Sequence, residues 1–514
     1  MTMKTIYIKN KFILPLNFKT LGKALIFGAL TMSAMSCEKD LMLEPENNIT
    51  QTSFYTTELQ IQQAVSGVYS AMINSSSRGG YDVNFYLLAS EVRSNNFNAI
   101  SQNGNRDYFA INRFQDTSST EEVAILWDDA YQLVSYANNI LARIDEVPFA
   151  DNATKEQYRA ETKFLRAYAY FELMRMFGKV PLIDHPMTPT EAAAVPRTDL
   201  QTLYNFITSE IEASVAGLKD TYDTKNKGRI TKSAAHAMLG RMYLTGYGYP
   251  LNNSSYLTKA KVHLSAVIQV EGQYVTFAPN YADLFKSAND NKYHLFEIQH
   301  ISGGVSQGSY LPSYVSPNFG VNDPLYNAQS SLYSSAELGV STSLINSYEA
   351  GDLRKNLTIK TSFIAANGQP DNANYFIKFR EPGLVISNRY DWPINFPVIR
   401  YADVILMYAE VLNYEGSTAL AVPQLNRIRQ RAGLAPLSTS ISSADFTTAL
   451  RRERRSEFAG EGVYWHDLVR WNIGVSVINA AAAANNYNFT ITTNDYLYQI
   501  PLNQVQIAGY EQNP

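Results

Sequence analysis

One pentapeptide in the chain has the spacing of a serine nucleophile. Residues 304–308 read Gly-Val-Ser-Gln-Gly and match the pattern G-x-S-x-G, in which glycines let a serine occupy a tight turn between a strand and a helix. Residues 293–301 before it predict the strand. Because residues 309–312 end in Pro312, we do not expect a helix to follow. Without that helix, and without alternating strands and helices to hold a histidine and an acid, the pattern predicts no serine hydrolase.

Other residue types that support catalysis or metal binding lack the spacing these functions need. The six histidines are scattered and form no His-Glu-x-x-His or similar ligand motif. The acidic pairs Glu121-Glu122 and Asp128-Asp129 are adjacent on predicted helices, so their side chains diverge and do not face one scissile bond. The sequence contains no phosphate-binding loop and no dinucleotide fingerprint. We therefore predict no catalytic residues, no metal site and no cofactor.

The chain is rich in side chains suited to binding. It contains 35 tyrosines and 24 phenylalanines. Sugars pack their C–H faces on aromatic rings and need hydrogen-bond partners for their hydroxyls. Regions 78–108 and 306–333, with the short stretch 389–392, combine aromatic residues with Asn and Arg. We expect ligand contacts from Tyr81, Arg93, Asn96, Phe97, Asn98, Tyr310, Tyr314, Phe319 and Trp392. Core packing is the alternative for each of them.

Amphipathic helices are predicted to hold these regions. Apolar residues repeat at helical spacing over 58–69, 122–147, 155–177, 200–218, 232–244, 256–270, 401–414, 422–431 and 445–458. One predicted pair contains His236-x-x-Leu239-Gly240-x-x-Tyr243 followed by Ala260-x-x-x-Leu264. This spacing matches the tetratricopeptide repeat, in which a small residue lets two helices approach closely. The sequence thus predicts a mainly α fold, a superhelix of about four helix pairs.

The predicted helices are interrupted by loop-rich parts. We expect residues 53–514 to form one domain, with a helical scaffold over 53–271 and 396–472. Its loop-rich, ligand-facing part covers 81–120 and 272–395 and includes short strands. Long ordered loops on a rigid scaffold usually carry function. Trp127, Trp465 and Trp471 lie in helical contexts and are predicted to be core residues.

The N-terminal residues have the composition of an export and anchoring segment. Five lysines and no acid lie within residues 1–36, and a short apolar run at 24–30 leads through small residues to Cys37, the only cysteine. This order predicts a signal peptide over 1–36, lipidation of Cys37 and a polar tether over 37–52. A plain signal peptide with an incidental cysteine is the alternative. Removing residues 1–36 changes the formal net charge from −4 to −9. That charge disfavours nucleic acid and anionic lipid as partners. We therefore expect the lipid on Cys37 to be what attaches the protein to the membrane.

Several motifs follow one another in an order that resembles one known family. They are FYTT at 54–57, RAYAYFEL at 166–173, FGKVPL at 177–182, GDLRK at 351–355, IRYADVILMYAE at 399–410, LNRIRQRAG at 425–433, RERRSEF at 452–458 and DLVRW at 467–471. In this respect the chain resembles the SusD/RagB family of outer-membrane lipoproteins of the Bacteroidetes. It departs from the family pattern at Gln499, where proline is usual, and at its C-terminus, where Gln512-Asn513-Pro514 lacks a following Gly-Tyr.

The resemblance implies a function as well as a fold. It implies a surface-exposed, lipid-anchored outer-membrane protein that captures a glycan and delivers it, without catalysis, to a SusC-like TonB-dependent transporter. The helical side would then face the transporter and the loop-rich side the ligand. Peptide capture, as by RagB-like proteins, remains an alternative, as do a tetratricopeptide scaffold that binds only proteins and a glycoside hydrolase. We expect the charged motif residues, such as Arg400, Asp403 and Glu410, to form ion pairs of the scaffold.

Overall fold

Most of the predicted amphipathic segments are helices in the structure. The computed structural model describes residues 54–73, 79–99, 106–316, 338–364, 368–384, 386, 388 and 390–514. The expected signal peptide, Cys37, the tether and Phe319 lie outside the described residues. Among the described helices, none combines the length and the apolar character needed to span a bilayer.

The helices are distributed along the whole described chain. The first half contains α1 (Glu58–Ser70), α2 (Arg106–Asn112), α3 (Glu121–Leu141), α4 (Asn152–Phe177), α5 (Pro189–Ala193), α6 (Leu200–Ser214), α7 (Lys232–Tyr247) and α8 (Tyr256–Ile268). The second half contains α9 (Leu311–Val315), α10 (Thr342–Ile345), α11 (Arg354–Thr358), α12 (Tyr401–Tyr414), α13 (Thr418–Arg431), α14 (Ser443–Glu457), α15 (Tyr464–Arg470), α16 (Gly474–Ala484) and α17 (Leu502–Ala508). A π-helical segment, Asp82–Val92, follows α1.

The long helices pack as neighbouring pairs. Helix α3 packs on α4, α7 on α8 and α12 on α13, while α6 packs on α4 and α12 also contacts α8. In the α7–α8 pair, a Cβ atom added at Gly240 would lie 2.4 Å from Cδ2 of Leu264, so only glycine allows this approach without displacing the leucine. The close crossing predicted from the repeat spacing is confirmed. The fold is mainly helical and tetratricopeptide-like, as predicted.

The described strands form two-stranded antiparallel sheets. The strands are β1 (Phe97–Ala99), β2 (His294–Ile298), β3 (Leu338–Val340), β4 (Ile359–Lys360), β5 (Phe363–Ile364), β6 (Pro370–Asp371), β7 (Tyr375–Phe376) and β8 (Phe396–Arg400). The pairs are β1–β3, β2–β8, β4–β7 and β5–β6, of which β1–β3 and β2–β8 join distant parts of the chain. Strand β8 runs directly into α12. The β2–β8 pair therefore attaches the chain before residue 300 to the helical scaffold.

The prediction that residues 81–120 form a loop-rich, ligand-facing part is wrong for its first half. Every residue of the π-helical segment Asp82–Val92 is buried. Its polar side chains have partners far along the chain: Ser90 Oγ lies 3.0 Å from His466 Nε2, and a carboxylate oxygen of Glu91 accepts the Gly462 N–H at 2.8 Å. Ser90 and Glu91 thus have their hydrogen-bond partners inside the core, where a surface loop was expected.

Buried ion pairs join helices of the C-terminal half to one another and to α7. Asp403 on α12 accepts from Arg454 on α14 at 2.7 Å and from Arg241 on α7 at 2.7 Å. Burial acts to raise the pKa of Asp403, but the two guanidinium groups outweigh it and lower the pKa to about 2. Arg470 donates twice to Glu410, each time at 2.7 Å. The motif charges form ion pairs of the scaffold, as the sequence predicted.

Candidate ligand-binding site

An exposed hairpin projects where β2 ends. Ile301 donates its N–H to the carbonyl of Gln307 at 3.0 Å, which closes the turn. The side chains of Ile301 and Val305 are more than half exposed, and neither belongs to a hydrophobic cluster of the described residues. We call the described residues of 300–316 and 388–395 the loop face.

A single carboxylate holds the hairpin in place. Asp391 Oδ2 accepts the N–H groups of Gly303 at 2.8 Å and of Gly304 at 3.0 Å. The two strands of chain meet next to this contact, because Ser309 donates its N–H to the Trp392 carbonyl at 2.8 Å. A Cβ atom at Gly308 would lie 2.4 Å from the Asp391 Cα atom, so glycine is required for this approach. The hairpin is therefore fixed before any ligand binds.

Two tyrosines form a stacked pair beside the hairpin. The ring centroids of Tyr310 and Tyr390 are 4.5 Å apart and the rings are inclined by 28°, and both residues are half-buried. Such offset pairs contribute about 0.5–1.5 kcal/mol beyond the area they bury. Tyr314 is also half-buried, with its ring centroid 5.9 Å from that of Tyr108. The pair is a preformed aromatic platform of the kind on which the C–H face of a sugar packs.

Trp392 supports this platform but does not line it. Only 3% of Trp392 is exposed. Its Nε1–H donates to Ser313 Oγ at 3.1 Å, and the guanidinium carbon of Arg380 lies 4.8 Å from its ring centroid. The prediction that Trp392 contacts ligand is corrected, because its ring is enclosed by residues of the loop face and by Arg380.

The base of the loop face is anchored to the core through Asp82. Asp82 Oδ2 accepts from Ser309 Oγ at 2.6 Å and lies 3.4 Å from His300 Nε2. Burial acts to raise the pKa of Asp82, but His300 and Ser309 outweigh it, so the pKa lies below its ordinary value. The carboxylate lies between the serine and the imidazole, whereas in a catalytic triad the imidazole lies between them. This trio therefore fixes structure and does not activate Ser309.

The G-x-S-x-G pentapeptide forms the tip of the exposed hairpin. Ser306 has a left-handed backbone conformation, with φ of 57°. A short helix, α9, does follow, with Pro312 in its first turn, so the expectation that no helix could form there is wrong. Proline is accepted in a first turn because its missing N–H is not needed there. His300 lies against the Gln307 carbonyl through Nδ1 and faces Asp82 through Nε2. That imidazole is therefore not placed to activate Ser306.

Four of the residues predicted to contact ligand are buried with partners inside the protein. Tyr81 stacks on Phe85. Arg93 pairs with Asp116 at 2.8 Å and lies over the Tyr498 ring at 4.1 Å. All four residues are buried. The exposed fraction is 0% for Tyr81, Asn96 and Phe97 and 3% for Arg93. This corrects the prediction for these four residues.

Asn98, which is predicted to contact ligand, and Tyr390, which is not, are both partly accessible. Asn98 is half-buried in β1, opposite Gly339. Tyr390 is not among the residues predicted individually to contact ligand. It lies in the stretch 389–392, which the sequence singles out as a whole because it combines aromatic and polar residues. The structure thus brings together Tyr310, Tyr314 and Trp392 on the loop face and adds Tyr390 and Asp391. In the described chain no group of three His, Cys, Asp or Glu side chains is arranged to hold a metal ion.

Two family models match the chain. Residues 42–244 match a model described as starch-binding and associating with the outer membrane. Residues 366–514 match the SusD family model. Together they include most of the motifs from residue 54 to the C-terminus.

Individual relatives match over nearly their full length. SusD-like protein P25 of Formosa agariphila is 25% identical over an alignment 530 residues long. The alignment covers 94% of this chain and 96% of the relative. Starch-binding protein SusD of Bacteroides thetaiotaomicron is 23% identical over 566 residues, covering 95% and 96%.

Solved structures share the fold. A laminarin binding SusD-like protein has a TM-score of 0.73 at 25% identity and covers 90% of this chain and 100% of its own. Surface glycan-binding protein A from Bacteroides thetaiotaomicron, in complex with laminarihexaose, has a TM-score of 0.75 at 20% identity, with coverage of 89% and 100%. The motifs, the helix pairs and these matches agree: the chain belongs to the SusD/RagB family of outer-membrane-associated proteins.

Proposed function

We propose that the protein is a surface-exposed lipoprotein that captures a glycan on the loop face and passes it to a SusC-like TonB-dependent transporter, without chemical change. The observation that carries this proposal is the stacked, half-buried pair Tyr310–Tyr390. It lies beside a hairpin that is already held in position by Asp391. A rigid aromatic platform loses little conformational entropy when a sugar packs on it.

The contacts of the reactive groups on the loop face support binding without catalysis. Ser309 and His300 both contact Asp82 and are buried. Ser306 lies on an exposed turn, and the nearby imidazole of His300 is held by Asp82 and by the Gln307 carbonyl. Glycoside hydrolysis needs two carboxyl groups facing one bond. On the loop face, Asp391 is occupied by two backbone N–H groups, so this arrangement supports recognition of a ligand and not its cleavage.

Anchoring and delivery complete the proposal. The lysine-rich start, the short apolar run and Cys37 support export and attachment through lipid on Cys37. The proposed contact with a transporter is supported by the family to which the chain belongs, and its helical scaffold would supply that contact. Co-purification of the full lipidated protein with a SusC-like transporter tests this half of the proposal separately from ligand binding.

The ligand-binding half is tested by removing one ring of the pair. We expect Tyr310→Ala and Tyr390→Ala each to weaken glycan binding by about 1–3 kcal/mol, the range for an aromatic anchor at an interface. The melting temperature should change little, because both residues are only half-buried. Calorimetry with a panel of laminarihexaose, other neutral oligosaccharides and hexapeptides provides the measurement.

Tyr136→Ala is the matched control. Tyr136 is 42% exposed and lies on α3, away in sequence from the loop face, so its loss should leave affinity unchanged. Unchanged affinity in both loop-face variants would remove the tyrosine pair from the account. Binding of peptides but of no glycan would favour the RagB-like alternative, and release of reducing sugar would show a hydrolase.

A further inference from the structure

We propose that a second cleft of the protein, distinct from the loop face, binds acidic saccharides, that is, sugars that carry carboxylate or sulfate groups. The cleft has a volume of about 200 Å³ and lies between the loop 220–231 and the segments 274–276 and 291–296. It shares no lining residue with the loop face. Its lining combines ammonium groups, aromatic rings and hydroxyls, which together match such a ligand.

Two lysines give the cleft its charge. Lys227 and Lys292 line it and are exposed. Neither forms an ion pair with a carboxylate of the described residues, whereas the other charged groups of the lining are paired. Arg229 donates to Glu161 at 2.9 Å, and Asp220 lies 3.6 Å from Lys232. Two exposed lysines on one cleft favour an anionic ligand, although the formal net charge of the chain is −4.

An acid close to Lys227 does not cancel this charge. Asp290 is close enough for Lys227 to act on its carboxyl group. Burial, reinforced by the charge of Glu297, raises the pKa of Asp290 to about 7. The Asp290 carboxyl is therefore only partly ionised at neutral pH.

The remaining lining suits the body of a sugar. Tyr274 is 40% exposed at the edge of the cleft, and Tyr222 and Tyr293 also line it. An exposed ring offers a surface for C–H groups. Thr231 and Thr276 add hydroxyl groups to the same lining, and these donate to and accept from sugar hydroxyls. An acidic peptide would use the lysines but would have less use for this set of rings and hydroxyls.

The wall that carries Lys227 is preorganised. Gly228 has φ of +90°, and a Cβ atom there would lie 2.6 Å from Cδ of Gln299. Glycine is therefore needed for the loop to approach the chain beyond β2. The same loop is closed by the Lys232 N–H, which donates to the Lys219 carbonyl at 2.9 Å, and by Tyr222 Oη, which donates to the Ile230 carbonyl at 3.0 Å. A fixed wall lowers the entropic cost of binding.

The cleft and the loop face are connected by one strand. The cleft is lined by His294 and Phe296 of β2, and the loop face begins at His300, just past the end of this strand. Phe296, the last strand residue that lines the cleft, precedes His300 by four residues, which is roughly 13 Å of extended chain at about 3.3 Å per residue. Binding at the two places can therefore be measured separately.

The test compares charged and neutral oligosaccharides on the exported part of the chain, residues 38–514. The probes are a galacturonate hexamer, which carries only carboxylates, a κ-carrageenan hexasaccharide, which carries only sulfates, and neutral laminarihexaose. We expect at least one acidic probe to bind, and to bind more weakly as salt concentration rises. The double variant Lys227→Gln/Lys292→Gln removes two exposed ion pairs with the ligand, each of which contributes up to about fivefold in affinity. We therefore expect the affinity for that probe to fall about tenfold. Affinity for laminarihexaose should not change.

Controls separate this inference from the proposed function. Lys225→Gln removes an exposed lysine of the same loop that does not line the cleft, and it should leave binding of the acidic probe unchanged. Tyr310→Ala should also leave it unchanged, whatever its effect on the neutral probe. The inference is overturned if neither acidic probe binds, if the double variant binds as well as the parent, or if Lys225→Gln loses as much affinity. Equal binding of hexaglutamate would overturn the assignment to saccharides.

Discussion

Removing the Asp391 carboxylate is expected to release the hairpin of the loop face while leaving the helical scaffold folded. Asp391 Oδ2 accepts two backbone N–H groups, at 2.8 and 3.0 Å. Hydrogen bonds to a charged acceptor contribute about 1.5–3 kcal/mol each. Because the bonds are only partly buried, we take the lower end, which gives about 3 kcal/mol for the two in Asp391→Ala. That energy corresponds to an opening equilibrium of the hairpin about a hundredfold more favourable than in the parent.

The conservative change separates charge from hydrogen bonding. Asp391→Asn keeps a carbonyl oxygen that accepts the same N–H groups, and neutral hydrogen bonds contribute about 0.5–1.5 kcal/mol each. We therefore expect about a tenfold shift toward the open hairpin for Asp391→Asn. Both variants should retain a near-parent melting temperature, because local opening does not involve the buried helix pairs.

Amide hydrogen exchange measures this opening directly. The reporters are the N–H groups of Ile301 and Ser309, which donate to Gln307 and Trp392 and are not themselves bonded to the Asp391 carboxylate. Their protection should fall about a hundredfold in Asp391→Ala and tenfold in Asp391→Asn, while amides of α7 and α12 stay unchanged. Glycan affinity should fall in the same order. Unchanged protection of both reporters in Asp391→Ala would refute the claim that this carboxylate holds the hairpin.

Two further predictions concern the scaffold. Asp403→Asn should cost about 3–5 kcal/mol, because it leaves Arg241 and Arg454 buried without their common carboxylate. The pKa of Asp403 is lowered from 3.8 to about 2, so its contribution of roughly 2 kcal/mol is complete above about pH 5 and is lost as pH falls towards 2. Denaturant titrations at pH 7 and pH 3 should show this loss in the parent and a smaller one in the variant; equal losses would contradict it. Gly240→Ala should destabilise by about 1 kcal/mol, since the clash with Leu264 (1–3 kcal/mol) exceeds the gain in helix propensity (about 1 kcal/mol). In a Leu264→Ala background the same change should become stabilising, and no change of sign would show that the crossing is not tight.

The sequence predicted the scaffold because its signals are local. Apolar residues at a period of 3.6 identified the helices, and the Gly240–Leu264 crossing followed from the spacing of a repeat. The predicted buried role of Trp127 and Trp465 is confirmed, with 3% and 0% exposed. Trp471 is less buried and donates its Nε1–H to Glu410 at 2.6 Å.

The candidate site was predicted less well because it depends on contacts between distant residues. The polar side chains of the π-helical segment suggested a surface, yet Ser90 and Glu91 are satisfied by residues more than 370 positions away. Trp392 lies in a predicted loop and is buried, whereas Tyr390, two residues earlier, forms the platform with Tyr310. Which of these two aromatic residues is buried depends on the pairing of Trp392 with Ser309, and that pairing has no signal in local composition.

A structure determined with a bound neutral oligosaccharide tests the central claim most directly. We expect laminarihexaose, or the tightest neutral ligand of the panel, to lie with one sugar ring over the Tyr310–Tyr390 pair and intact glycosidic bonds. A ligand bound only elsewhere on the protein, with both tyrosines uncovered, would contradict the account.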